Sequence, residues 1–205
     1  MKRFLALLCS FFCAGALAAC SFPLASDKPA SMNIQPTRLT QEEKQIVELV
    51  DGSSNCHIFD FQADKSLQSI RINTYQLEDG QWQPFSGGGS YAFEEKGGRL
   101  SLTTEKIPLG MRCALQGSSG FSSSKYASDL SEEAFEEMGI AIAYLSNPAE
   151  IRYEEEIPLA VQIFTTQDTI HSYDVSFFHT PEEYAKYGYE YVYAVTVLFS
   201  QKPLS

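Results

Sequence analysis

The sequence predicts a mainly β fold: a single antiparallel β-sandwich, jelly-roll or Ig-like, with one short helix at the start of the folded part. Three observations predict it. From residue 56 onward, apolar residues recur mostly with a period of two, the spacing of a half-buried strand. Gly, Pro and Asp break these runs at short intervals, which is the punctuation of strands joined by tight turns. Helical spacing is confined to one stretch near residue 45, directly behind a capping sequence.

The first element is not part of that fold. Lys2 and Arg3 precede an apolar run from Phe4 to Ala16, interrupted only by Ser10 and Gly15. A spanning helix takes about 20 apolar residues, so a run this short behind a basic start reads as an export signal. Leu17-Ala18-Ala19-Cys20 follows, then Ser21. This tetrapeptide resembles the lipobox of bacterial lipoproteins, in which small side chains fit the peptidase site and the cysteine thiol takes the lipid. The resemblance covers residues 1–21 and implies cleavage after Ala19 and lipidation of Cys20. It also implies a mature protein held on a cell membrane, facing the extracytoplasmic side. Ordinary secretion with a free Cys20 is the alternative. Cys9 and Cys13 leave with the signal either way.

Residues 20–39 carry Pro23, Pro29 and Pro36 among small and polar residues and are expected to be a flexible, lipidated tether. A coil of that length spans roughly 25 Å. The domain is then expected to occupy 40–205. It opens with Thr40-Gln41-Glu42-Glu43, a capping box, and Ile46, Val47 and Val50 place an apolar stripe on a helix over about 41–50. His57, Phe59, Phe61 and Ala63 alternate next. Ile70 and Ile72, then Tyr75 and Leu77 on the other parity, suggest a bulge or a change of face. Asp79-Gly80 is a hairpin signal. Further strands are expected at 90–94, 99–104, 109–116, 157–165, 169–178 and 189–200, with a Gly/Ser loop over 117–124 and a helical turn over 131–138.

Charge narrows the function classes. The chain has 15 basic and 26 acidic residues; loss of Lys2 and Arg3 with the signal leaves 13 against 26, a net of −13. Nucleic-acid affinity depends on Lys and Arg displacing counterions, so no nucleic-acid partner is expected. Cys56 and Cys113 remain after export, and an even count permits one disulfide. Cys113 also fits as a small buried hydrophobe within the alternation of Leu109, Met111 and Leu115.

No catalytic motif stands out. His57, His171 and His179 show no metal-ligand spacing, and on one continuous strand His171 and His179 would lie about 26 Å apart. No Gly-x-Ser-x-Gly elbow, phosphate loop or Asp-x-Asp-x-Asp-Gly calcium loop occurs. Tyr187, Tyr189, Tyr191 and Tyr193 share a parity with Val195, Val197 and Phe199, which assigns them to a core face. Trp82, beside the Asp79-Gly80 turn, is the aromatic residue best placed for ligand contact. The expectation is a membrane-anchored, non-catalytic envelope module that binds a ligand or serves a structural role, with no cofactor and no metal. A glycan or an envelope protein would be its partner; a carbohydrate-binding module and an envelope hydrolase are the alternatives.

Overall fold

The computed structural model of the protein describes residues 31–51, 55–171 and 173–204. The expected export signal, Cys20 and residues 20–30 of the expected tether lie outside them. In chain order the elements are β1 (Asn33–Pro36), α1 (Gln41–Asp51), β2 (Cys56–Gln62), β3 (Ser69–Glu78), β4 (Gln81–Ala92), β5 (Gly97–Thr103), β6 (Gly110–Gln116), β7 (Phe121–Ala127), β8 (Gly139–Tyr144), β9 (Ala149–Glu150), β10 (Glu156–Thr165), α2 (Glu182–Ala185) and β11 (Tyr191–Ser200). Two 3-10 turns, Glu132–Phe135 and Val175–His179, complete the set. The strands form two sheets, β7-β6-β5-β2-β1-β9 and β4-β3-β11-β10-β8, with antiparallel pairing throughout.

Alternation explains the core. Phe59 and Phe61 on β2, Leu100 and Leu102 on β5, and Met111, Cys113 and Leu115 on β6 are buried from the six-stranded sheet. Ile70 and Ile72 on β3, Phe164 on β10, and Val195, Val197 and Phe199 on β11 are buried from the five-stranded sheet. All belong to one hydrophobic cluster, in which the Phe61 and Phe199 rings lie 5.3 Å apart.

The Asp79-Gly80 hairpin forms as the sequence predicts. Both residues have positive φ, 49° and 75°, as a turn matched to strand twist requires. The irregularity predicted near Ile72 falls on the partner strand. Between Ile72 and Thr74 the register slips against Gly89 and Phe85, so the extra residues belong to β4. Gly88 sits there at φ 105°, where a Cβ would stand 2.1 Å from the Ile72 carbonyl oxygen. β3 therefore keeps its faces, and Tyr75 and Leu77 point outward.

Three expectations are corrected. The tether ends earlier than residue 39: β1 pairs with both β2 and β9 and buries Ile34. A four-residue strand with one apolar side chain has no alternation to detect, and its partners are distant in sequence. The Gly/Ser loop at 117–124 runs into β7, a polar edge strand. The described residues of 169–178 form no strand; they belong to an excursion that includes the Val175–His179 turn. The Cys56–Cys113 bridge that the even cysteine count permits is not made: both thiols are free, and Cys113 is buried. β5 separates the two cysteine-bearing strands, so they stand two strand spacings apart, about 10 Å, beyond disulfide reach. Burial instead pushes the Cys113 thiol up to about 12.

α1 carries the predicted capping box: the Thr40 N–H donates to Glu43 Oε2 at 2.8 Å, and the Glu43 N–H to Thr40 Oγ1 at 3.2 Å. Its apolar stripe, however, stays in solvent. Ile46, Leu49 and Val50 are 60, 85 and 76 % exposed.

Candidate functional site

Between β10 and β11 the chain leaves the sheet for residues 166–190. Tyr173, Val175 and Phe177 alternate with Asp174 and Ser176, but the pattern breaks at Phe178, and Val175–His179 folds as a turn that buries Val175 and Phe178 in an aromatic patch of its own. The neck of the excursion is closed by polar contacts. Glu190 accepts from the Thr166 N–H at 3.2 Å, and hydroxyl hydrogen bonds from Thr165 and Thr166 hold its carboxyl down at about 2. The Gln167 amide donates to the Tyr187 carbonyl at 2.8 Å.

The excursion lies on the outer face of the five-stranded sheet, where Val175, Phe178 and Tyr184 are buried. Asp174 caps the turn that carries two of them, its Oδ1 accepting from the Ser176 N–H at 3.0 Å. Trp82 pins this layer from β4. Its indole stacks on Phe178 at 5.0 Å, meets the edge of Tyr184 at 6.2 Å, and donates from Nε1 to the Phe178 carbonyl at 2.7 Å. Trp82, the aromatic residue the sequence places best for ligand contact, is therefore half-buried and engaged within the protein. A hairpin turn exposes its tip, but a long excursion can fold back over it, and Trp82 supplies the area worth covering.

Beneath the same layer lies Glu156. Its Oε1 accepts from the Asn73 amide at 2.8 Å and from the Tyr75 hydroxyl at 2.9 Å, and the Thr196 hydroxyl donates to Oε2. Burial, then the Glu156 charge, raises Tyr75 to about 12. With both oxygens engaged, this carboxylate is a cross-strand tie between β3, β10 and β11. A concavity of about 350 Å³ opens beside it, lined by Arg152, Asp174 and His179 among others. Arg152 is engaged by Glu150 at 2.9 Å and Glu155 at 3.9 Å.

The histidines are spread out. His57 stacks on Tyr144 at 3.4 Å, and burial lowers its pKa. His179 stands edge-on to Phe178 at 5.5 Å. Among the described residues, no group of three His, Cys, Asp or Glu side chains is placed to hold a metal ion.

His171 belongs to a different arrangement, a group of rings that faces solvent. The Tyr187 ring stacks on His171 at 4.5 Å and lies nearly parallel to Tyr189 at 5.6 Å. Tyr173 approaches Tyr187 at 5.8 Å and Phe177 at 4.5 Å. The Tyr189 hydroxyl accepts from the His171 N–H at 2.9 Å, which ties the two ends of the excursion together. Loss of solvation, then a hydrogen bond with Tyr187, raises Tyr173 to about 12. His171 is exposed and Tyr187 is 36 % exposed.

The tyrosine run thus divides. Tyr193 is buried in the core with Val195, Val197 and Phe199, as its parity predicts, whereas Tyr187 and Tyr189 leave that face. Gly188 at φ 62° turns the chain between them, so the alternation does not extend through it. That glycine was the signal in the sequence that should have ended the strand. A search of protein families, of curated proteins and of solved structures found no match to this chain.

Proposed function

We propose that this chain is a lipid-anchored, non-catalytic binding module of the cell envelope, and that its ligand is a glycan met by the His171–Tyr187–Tyr189 stack. The observation that carries the reading is this group of parallel rings at the surface, held by the neck of the excursion rather than by a mobile loop tip. Aromatic rings meet the apolar faces of sugars at little entropic cost, because their side chains have few rotors. The two sheets are read as a β-sandwich, and jelly-roll or Ig-like connectivity is part of the proposal. The anchor rests on Leu17-Ala18-Ala19-Cys20, and no helix among the described residues is long and apolar enough to cross a membrane. The hydrolase reading has less support, since Glu156 and Glu190 are engaged by neighbouring donors and each histidine by a ring.

The test is titration of the full-length protein in nonionic detergent with cell-wall oligosaccharides, followed by tyrosine fluorescence. Wild type should saturate, Tyr187→Ala should bind at least ten-fold more weakly with an unchanged unfolding midpoint, and no new reducing ends should form. Equal binding by Tyr187→Ala would remove the stack from the reading, and ligand turnover would replace the module with a hydrolase. Separately, Cys20→Ala should abolish the mass added by the lipid and release the protein from membranes. Undiminished membrane retention would refute the anchor.

A further inference from the structure

The outer face of the six-stranded sheet carries a second feature, at the end away from the tyrosine stack in sequence. Register places Thr103, Arg112 and Lys125 in one row across β5, β6 and β7, with Arg112 directly opposite Lys125. Met111 and Cys113, the chain neighbours of Arg112, point into the core, so Arg112 and the Thr103 and Lys125 paired with it point outward. They line a groove of about 640 Å³, the largest of the concavities described, completed by Glu105, Lys106 and Glu132. Gly110 is among the lining residues at φ 154°, where a Cβ would come within 2.6 Å of the Tyr126 carbonyl oxygen. β6 and β7 therefore pack backbone to backbone at this point of the lining.

Like charges placed directly opposite each other on neighbouring strands repel and destabilise the pair. This chain has 26 carboxylates with which to answer them. On the same outer face it does so for Arg99, which meets Asp60 at 2.9 Å and Glu43 at 3.9 Å. In the groove, Lys106 is answered by Glu132 at 2.9 Å. The side chains of Arg112 and Lys125 make no ion pair or hydrogen bond with any described residue. The groove thus holds three basic and two acidic side chains, a local excess of positive charge in a chain of net charge −11. An acidic protein that leaves two adjacent cations unanswered in a concave site has left room for an anion.

We infer that this groove binds a phosphate group, with Arg112 and Lys125 as its counter-charges and Thr103 and Ser123 as hydroxyl donors. The guanidinium fork matches two oxygens of a tetrahedral oxyanion, and the ammonium supplies a point charge beside it. The hydroxyls hydrogen-bond the oxygens that remain. Phosphate of this kind has two sources at a membrane-anchored protein: a free phosphate or phosphate ester, and the headgroup of a phospholipid. Net charge opposes approach to an anionic bilayer, so the soluble source is the one assigned here.

The test uses full-length protein in nonionic detergent at low salt. Isothermal titration with inorganic phosphate and with glycerol 3-phosphate should show saturable binding. Binding should weaken at least ten-fold in Arg112→Gln and Lys125→Gln together, and fall steeply with added salt. Arg99→Gln, which removes an answered cation from the same face, should leave it unchanged. Binding only to micelles doped with phosphatidylglycerol, and dependent on the same two residues, would keep the phosphate site and overturn the soluble source. No phosphate binding, or binding that survives the double substitution, overturns the site. Tyr187→Ala has no effect on this titration, so the groove and the aromatic stack fail or stand separately.

Discussion

The outer faces of the two sheets are built on opposite terms. On the five-stranded sheet, the outward residues of β11, Val192, Ala194, Thr196 and Leu198, are buried, as are the inward Val195, Val197 and Phe199. On the six-stranded sheet most outward residues are polar and remain in contact with water, Ile58 and Ala114 being apolar exceptions. β7 is exposed along most of its length, and Ser101, Thr103 and Asp60 are half-buried. One sheet carries a second layer and the other meets solvent directly. The difference explains where alternation can be read. β2 and β5 show it because one face is wet; β10 and β11 lose it because both faces are dry, as in strands covered on two sides.

The comparison makes outward positions on the five-stranded sheet structural and those on the six-stranded sheet nearly free. The largest effect is expected at Trp82, which holds the covering layer. Trp82→Ala should cost about 2–3 kcal/mol, below the ~3–5 kcal/mol of a fully buried ring because Trp82 is half-buried. It should also speed amide exchange in residues 173–185 ahead of β2. A uniform change across both sheets would mean that the excursion is not a separate layer.

A pair of smaller substitutions sharpens the contrast. Thr196→Ala removes a hydroxyl that donates to the buried side of Glu156, and a hydrogen bond to a charged group contributes roughly 1.5–3 kcal/mol. Ser101→Ala changes the equivalent outward position on β5 and should stay within about 0.5 kcal/mol. Chemical denaturation of the two variants decides it, and equal losses would break the comparison.

The smallest effect concerns the neck of the excursion. The Glu190 carboxyl is held down at about 2 by the Thr165 and Thr166 hydroxyls. A depressed carboxyl contributes stability that is present above the ordinary carboxylate range and lost as pH falls toward about 2. Acid should therefore loosen the excursion before the sheets. In Glu190→Gln the part of the pH dependence below the ordinary carboxylate range should flatten, read as exchange at residues 166–174 across a pH series. An unchanged profile would place the neck's strength elsewhere, in Gln167 and Tyr189.

What could be read from the sequence alone was set by neighbours within a few residues. Thr40 and Glu43 define a helix start because their side chains reach only each other's backbone. Asp79-Gly80 defines a hairpin because positive φ is cheap there. Phe59, Phe61, Leu100 and Leu102 define inward faces because a strand repeats every second residue. The rest depended on pairing across long stretches of chain. β1 is a strand only because β2 and β9 accept it, Trp82 is covered only because an excursion from β10 returns over it, and Cys56 and Cys113 are kept apart by β5. Arg112 and Lys125 are 13 positions apart and form no basic cluster in the sequence, yet the β6–β7 register sets them face to face. Local chemistry determines which residues can bury a face, whereas sheet order and register, paid in loop closure over the whole chain, decide what that face meets.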